Sequence, residues 1–150
     1  MIRNMRRLDI PSLIMLGAEM HKESTYSHLD FDPVKLWALG DQILANPDSY
    51  CAFVAEKDDE IIGLIIGYAV PHFFGNDLMS GDLAVYVDAA HRKGMTGARL
   101  VKAYLDWCDG KGVKCPMLGV SAGISSDKVG RLYERLGLTD KYQIYRRPML

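Results

Sequence analysis

The sequence predicts an α/β fold of the α+β kind, with a mixed, mostly antiparallel central sheet, helices on both faces, and the order β-α-α-β-β-β-α-β-α-β. Three observations predict it. Two apolar runs, Tyr50–Glu56 and Ile61–Val70, flank the polar tetrapeptide Lys57-Asp58-Asp59-Glu60, the pattern of a hairpin. Two earlier stretches open on an aspartate with a proline just inside, Asp9 with Pro11 and Asp32 with Pro33, and continue with apolar residues at helical spacing. From Asp82 onward, strand-like and helix-like stretches alternate. A hairpin followed by alternating elements gives a mixed sheet covered on both sides.

In chain order, Met1–Leu8 reads as a short edge strand. The first helix starts at the Asp9 cap and runs to about Lys22, with a stripe of Ile10, Leu13, Ile14, Leu16, Gly17 and Met20. Glu23–Asp32 is a polar loop carrying Tyr26 and His28. Val34, Leu36, Trp37, Leu39, Ile43 and Leu44 mark a second helix ending near Asn46-Pro47. After the hairpin, Pro71–Asp77 is a loop with adjacent aromatics, Phe73 and Phe74. Leu83–Val87 is a buried strand, and a helix begins near Gly97 with Ala98, Val101, Leu105 and Cys108 on one face. Gly110 and Gly112 are its natural stops. Lys114–Ala122 reads as a strand that Pro116 weakens at its start. Ser125–Leu136 is a helix with Ser125 or Ser126 as cap and Gly137 as stop, and Tyr142–Met149 is a closing strand.

Composition narrows the class. The 150 residues suffice for a single domain, 1–150, with a core of its own, and 49% hydrophobic with 25% charged residues is ordinary for a globular chain. No apolar run reaches the roughly 18 residues of a membrane helix, and no long apolar segment follows the basic start, so neither a membrane span nor a signal peptide is expected. Cys51, Cys108 and Cys115 are odd in number and widely spaced, which fits reduced thiols in a cytoplasmic protein. No His, Cys and acid cluster suggests a metal, and no basic stripe suggests nucleic acid. Charge is uneven: residues 1–75 carry 6 Lys/Arg against 11 Asp/Glu, and residues 76–150 carry 12 against 8. An anionic ligand would favour the second half and a cationic one the first.

The chemistry concentrates in Asp82–Lys111. Here a buried strand leads into the basic, glycine-containing turn Arg92-Lys93-Gly94-Met95-Thr96-Gly97 and then into a helix. A helix N-terminus presents unpaired N–H groups and the positive end of the macrodipole, and glycines let a backbone approach phosphate oxygens closely. A pyrophosphate suits this element best.

The segment resembles the acetyl-CoA signature of the GNAT superfamily of N-acetyltransferases, Gln/Arg-x-x-Gly-x-Gly/Ala between a strand and a helix. With Val87 and Leu100 as anchors, Arg92 takes the first position and Gly97 the last, and Met95 stands at the middle glycine. A shifted register puts Gly94 on that glycine but His91 first and Thr96 last; the first register keeps strand and helix in phase. A second stretch, Ser126–Leu138, is similar to the family's later signature: Leu132-Tyr133-Glu134-Arg135-Leu136-Gly137-Leu138 matches Leu-Tyr-Glu-x-Leu-Gly-Phe, and Ser126 stands where the family has an Asn.

The resemblance implies an acetyl-CoA-dependent N-acetyltransferase that works without a metal, by direct attack of an amine in a ternary complex. It implies cofactor contacts from the backbone of Val85, Tyr86 and Val87, from Arg92, Lys93, Gly94, Met95, Thr96, Gly97 and Ala98, and from Ser126. It implies Tyr133 as the general acid for the leaving thiolate. The family's strand glutamate falls on Leu83, which cannot serve as a base. Asp82, one residue away, would need a bulge to aim it; Glu23, His28, His72 and a water chain are other candidates. Glu19, Glu23, Asp30 and Asp32 suit a cationic small-molecule or protein amine, with Tyr26, Phe73 and Phe74 as lining. Open sheet edges invite a homodimer. The rival expectation is a non-catalytic acyl-CoA-binding module with the same fold.

Overall fold

The computed structural model describes residues 1–149. Five strands form one sheet in the order β1 (Ile2–Asn4), β2 (Tyr50–Lys57), β3 (Glu60–Pro71), β4 (Leu78–Val87) and β5 (Cys115–Pro116). The first three junctions are antiparallel and β4/β5 is parallel. Four helices accompany them: α1 (Ile10–Glu23), α2 (Pro33–Ala45), α3 (Thr96–Lys111) and α4 (Ser126–Arg135). The mixed, mostly antiparallel sheet with helices on both faces is therefore as the sequence indicates.

Local chemistry explains most boundaries. At the β2–β3 hairpin, Asp58 and Asp59 both take positive φ, 50° and 63°, which matches a primed hairpin turn and its twist. The Asp32 carboxylate accepts from the Val34 and Lys35 amides at 2.9 and 3.3 Å, capping α2 where Pro33 needs no donor. Gly112 stops α3 with φ 70°, and Gly137 follows α4 with φ 95°.

Alternation along the strands divides the core. Cys51, Ala55 and Ile65 pack with Leu100, Val101, Tyr104 and Cys108 of α3 and with Tyr133 of α4. Val54 packs on the opposite face with Met5, Ile43 of α2 and Leu13 of α1. Tyr104 is fully buried, and its hydroxyl donates to the Met117 carbonyl at 2.8 Å and bonds Ser80 Oγ at 2.6 Å. Its ring lies directly on Gly67: a Cβ there would stand 2.6 Å from the ring and 3.1 Å from Cys51 Sγ.

Three expectations are corrected. Asp9 precedes α1 but does not cap it: its carboxylate accepts from the Arg6 amide and pairs with Arg3 through Nη1 and Nη2 at 2.8 and 2.9 Å, while Arg3 Nε reaches Glu56. The aspartate thus fastens β1 to the rest of the fold. The strand expected over Lys114–Ala122 is only Cys115–Pro116. Pro116 has no N–H, and after Met117 donates to the Ser80 carbonyl the chain turns away, so that the Ala122 carbonyl accepts from Thr25 N instead. The closing strand over Tyr142–Met149 does not form. A two-residue β5 offers almost no outer edge to pair with, and the segment carries Arg146, Arg147 and a donor-less Pro148; Tyr142, Ile144 and Tyr145 lie exposed.

Gly67→Ala is expected to lower stability by about 1–3 kcal/mol, because the added methyl meets a buried, hydrogen-bonded ring that has nowhere to go. Urea unfolding measures this; an unchanged midpoint would show that the Tyr104 packing is not tight.

Candidate active site

The site grows from the way β4 loses its partner. β4 pairs with β3 along its whole length but with β5 only at Met79 and Ser80. Ala84 lies opposite Ile66 and Asp82 opposite Gly67, which leaves Leu83 as an unpaired extra residue, a β-bulge. Beyond it, Asp88 N donates to the Ile62 carbonyl. By the alternation of an antiparallel ladder, Val85 and Val87 turn their amide groups away from β3, toward the open edge.

Asp82 and Tyr133 meet at the start of that edge. Asp82 Oδ1 accepts from the Gly119 amide at 2.8 Å, bridging the gap where β5 has left the sheet. The Tyr133 hydroxyl points at the carbonyl of the same residue, at 3.4 Å. The bulge supplies the re-aiming that a regular strand would deny Asp82. Burial pushes the Asp82 carboxyl above its usual range despite the Gly119 amide. Burial first, and the Asp82 charge second, push the Tyr133 hydroxyl up as well, so it stays protonated near neutral pH. A carboxylate with a raised pKa and a neutral phenol bonded to the same residue can exchange protons in opposite directions.

At the far end of the edge, the chain passes through a short helical turn at Ala89–His91 and enters α3 at Thr96. Met95 sits at the cap position without a side-chain bond, so Thr96, Gly97 and Ala98 open the helix with amides that have no intrahelical acceptor. Lys93, Gly94 and Met95 are exposed around them. Neither glycine is demanded by the fold. A Cβ on Gly94 would meet open space, and one on Gly97 would make ordinary contact with Leu132 at 3.7 Å; neither has a positive φ. What they leave is a bare backbone for an anion to approach. Ser126 is exposed at the first residue of α4.

Arg92 is turned differently from the sequence expectation of a phosphate contact. Its Nη1 and Nη2 grip Glu23 at 2.9 and 2.7 Å, and its Nε donates to the Val87 carbonyl at 2.8 Å. The Tyr86 hydroxyl donates to the same Glu23 at 2.6 Å, and the guanidinium lies over the Tyr86 ring. Arg92, with Tyr86 second, holds the Glu23 carboxyl below its usual range; burial, with the hydrogen bond to Glu23 second, pushes Tyr86 up to about 12. Arg92 therefore uses three of its five N–H donors to position the loop.

The remaining candidates fall apart spatially. His72 stacks on Phe73 and Phe74 in the β3–β4 loop, and both phenylalanines are exposed. His28 is exposed in the α1–α2 loop. In that loop, Tyr26 donates to Ser121 Oγ at 2.7 Å, which places it against the segment that follows Gly119. Glu19 pairs with Lys22, and Asp32 caps α2. The Gly119 pivot and the Glu23–Arg92–Tyr86 group escaped the sequence: a lone glycine in an apolar stretch gives no signal, and the ion pair joins residues 69 apart. Among the described residues, no three His, Cys, Asp or Glu side chains gather as metal ligands, and no helix is long and apolar enough to cross a membrane.

The sequence model of the Acetyltransferase (GNAT) family matches residues 14–138. The chain belongs to the GNAT acetyltransferase family. No curated protein sequence matches it. Among solved structures, it is similar to a transcriptional regulator from Bacillus halodurans, with TM-score 0.80 and 17% identity, over 98% of this chain and 97% of that one. It is similar to glucosamine-6-phosphate N-acetyltransferase from Arabidopsis thaliana, with TM-score 0.78 and 18% identity, over 98% and 96%. It is also similar to an aminoglycoside acetyltransferase from an uncultured soil metagenomic sample, with TM-score 0.75 and 17% identity, over 100% and 98%. At these identities the likeness is one of fold, and GNAT membership rests on the family match.

Asp82→Asn tests the buried carboxyl. A raised folded-state pKa means that Asp82 favours the fold while protonated, and that this contribution is lost as pH rises through the raised value. The asparagine keeps an oxygen for the Gly119 amide without the charge. The variant is expected to melt higher than the parent near neutral pH, with the difference closing as pH falls below the ordinary aspartate range. A melting difference independent of pH would contradict the raised pKa.

Proposed function

We propose that the protein is an acetyl-CoA-dependent N-acetyltransferase that moves an acetyl group to a primary amine by direct attack in a ternary complex. The observation that carries this reading is the open edge of β4, which runs from the Asp82–Gly119–Tyr133 meeting point to the uncapped start of α3. Outward amides of Val85 and Val87 suit the two amide groups of a pantetheine arm, and the bare backbone of Gly94–Ala98 suits a pyrophosphate, with Lys93 as an exposed cation beside it. Ser126 at the start of α4 would contact the same donor. The donor supplies a thioester carbonyl and a thiolate leaving group.

The chain's own groups then divide the proton work. Asp82 stands where a carboxylate can accept a proton from the incoming ammonium, directly or through water. Its raised pKa makes it a better base than an exposed aspartate, and release from the Gly119 amide would free Oδ1 for that role. Tyr133 holds a proton on the other side of Gly119, where a departing sulfur needs one. Glu23, neutralised by Arg92, is a poorer base candidate. Two of the structurally similar proteins bear the names of an N-acetyltransferase and an aminoglycoside acetyltransferase, which is consistent with an amine acceptor.

Acetyl-CoA at about 100 times its dissociation constant is expected to add about 2.7 kcal/mol of stability, read as a rise in Tm that ATP does not reproduce. No shift at millimolar acetyl-CoA would end this reading. Gly94→Glu should leave the ligand-free Tm unchanged, since its side chain meets open space, and should abolish most of the acetyl-CoA shift by opposing the phosphates. Tyr133→Phe gives up only one long hydrogen bond, so it should fold and bind CoA normally while turnover, followed by thiol release, falls by about 10²–10⁴. Unchanged turnover would remove Tyr133 from the chemistry; no turnover in the parent, with acetyl-CoA bound, would favour a binding-only module.

A further inference from the structure

On the face of the sheet covered by α2, opposite α3, a cavity of about 530 Å³ lies beside the bulge. Gln42 and Asn46 at the end of α2 form one wall, Tyr50 of β2 with Tyr68 and Val70 of β3 another, and Leu83 of β4 the side next to the reaction edge. We propose that this cavity seats the body of the acceptor, and that this body is uncharged: an aromatic or aliphatic group with a hydrogen-bond donor, carrying a single amine, rather than a polycation. The inference rests on the acetyltransferase reading and names its acceptor class.

Position links the cavity to the chemistry. Leu83 is the residue that the bulge ejects from pairing, and its side chain is 47% exposed into this space. The residue before it, Asp82, bridges to Gly119 at the open edge. Tyr68 leans toward the same strand: a Cβ on Gly81 would stand 2.7 Å from its hydroxyl. Asp82 and Leu83 point to different sides of β4, so a molecule lying against Leu83 and Tyr68 would meet the Asp82 carboxylate past the open edge of the strand. The volume suits a small organic molecule.

The lining selects the class. Val70, Leu83 and the two tyrosine rings give apolar contact. The Gln42 side-chain amide donates to the Tyr50 hydroxyl at 3.2 Å, and the Asn46 amide donates to the Gln42 backbone carbonyl at 2.7 Å. Each bond uses one of the two N–H groups of its amide, and both residues keep a side-chain carbonyl oxygen that can accept from an N–H or O–H on the ligand. No carboxylate lines the cavity. Of the acidic residues that would have drawn a polycation, Glu19 faces Lys22, Glu23 faces Arg92, Asp32 caps α2, and Asp30 is exposed in the α1–α2 loop, outside the cavity lining. A second positive charge seated here would lose hydration and gain no partner.

The test is acetylation kinetics by thiol release, with phenethylamine and spermidine as probes, alongside the acetyl-CoA melting shift. In the parent protein, kcat/KM is expected to favour phenethylamine by about tenfold or more. Leu83→Trp narrows the cavity from β4, and Val70→Trp narrows it from β3, farther from Asp82; both positions are surface-accessible. Each is expected to raise the phenethylamine KM by roughly tenfold while leaving the acetyl-CoA shift intact. Leu83→Glu should move the preference toward spermidine. A parent that prefers spermidine, or tryptophan variants with unchanged KM and an intact acetyl-CoA shift, would overturn the acceptor assignment alone. A parent with no acetyl-CoA shift would overturn the acetyltransferase reading, and this inference with it.

Discussion

The buried Tyr104 hydroxyl is the contact on which the site depends. It bonds Ser80 on β4 and the Met117 carbonyl just past β5, and so holds the two strands together at the last point before they separate. Without that fastening, a two-residue parallel pair has too few ladder bonds to hold itself. The phenol lies on Gly67 with a ring that no other residue at that position would admit. Among the described residues, no buried side-chain polar atom lacks a partner. A local piece of close packing therefore fixes where the sheet opens.

The opening has two ends with different chemistry, and one strand supplies both. At the near end, the bulge at Leu83 lets consecutive residues serve different spaces, Asp82 the edge and Leu83 the opposite face. At the far end, the same strand delivers the chain into an uncapped helix start. A regular strand would have placed a side chain, not a carboxylate-to-amide bridge, at the gap, and a capped helix would have filled its own amides. Irregularity at both ends is what leaves groups available.

What the sequence discloses follows from the range of the interactions. The hairpin aspartates, the Asp32-Pro33 start and the α3 boundaries are local, and periodicity or turn chemistry reveals them. The signature around Tyr133 is local too, and it led to the family. Partnerships formed across the fold were hidden. Arg92 carries the charge of a phosphate ligand but faces Glu23, and Asp9 has the spacing of a cap but faces Arg3. The closing strand was misread because Tyr142–Met149 has strand-like composition, while the edge it needed ends at Pro116. That Asp82 could act only through a bulge was legible; that Gly119 would be its partner was not.

The triad of Glu23, Tyr86 and Arg92 has a consequence for inheritance. Glu23 takes both terminal nitrogens of Arg92 and the Tyr86 hydroxyl, and Arg92 returns to the strand through the Val87 carbonyl. Replacing the glutamate alone would strand a half-buried cation and a phenol without their acceptor; replacing the arginine alone would leave the carboxylate with only the Tyr86 hydroxyl. The end of α1 and the turn before α3, far apart in the gene, are thus coupled, and a substitution at position 23, 86 or 92 is expected to call for a compensating one at the others.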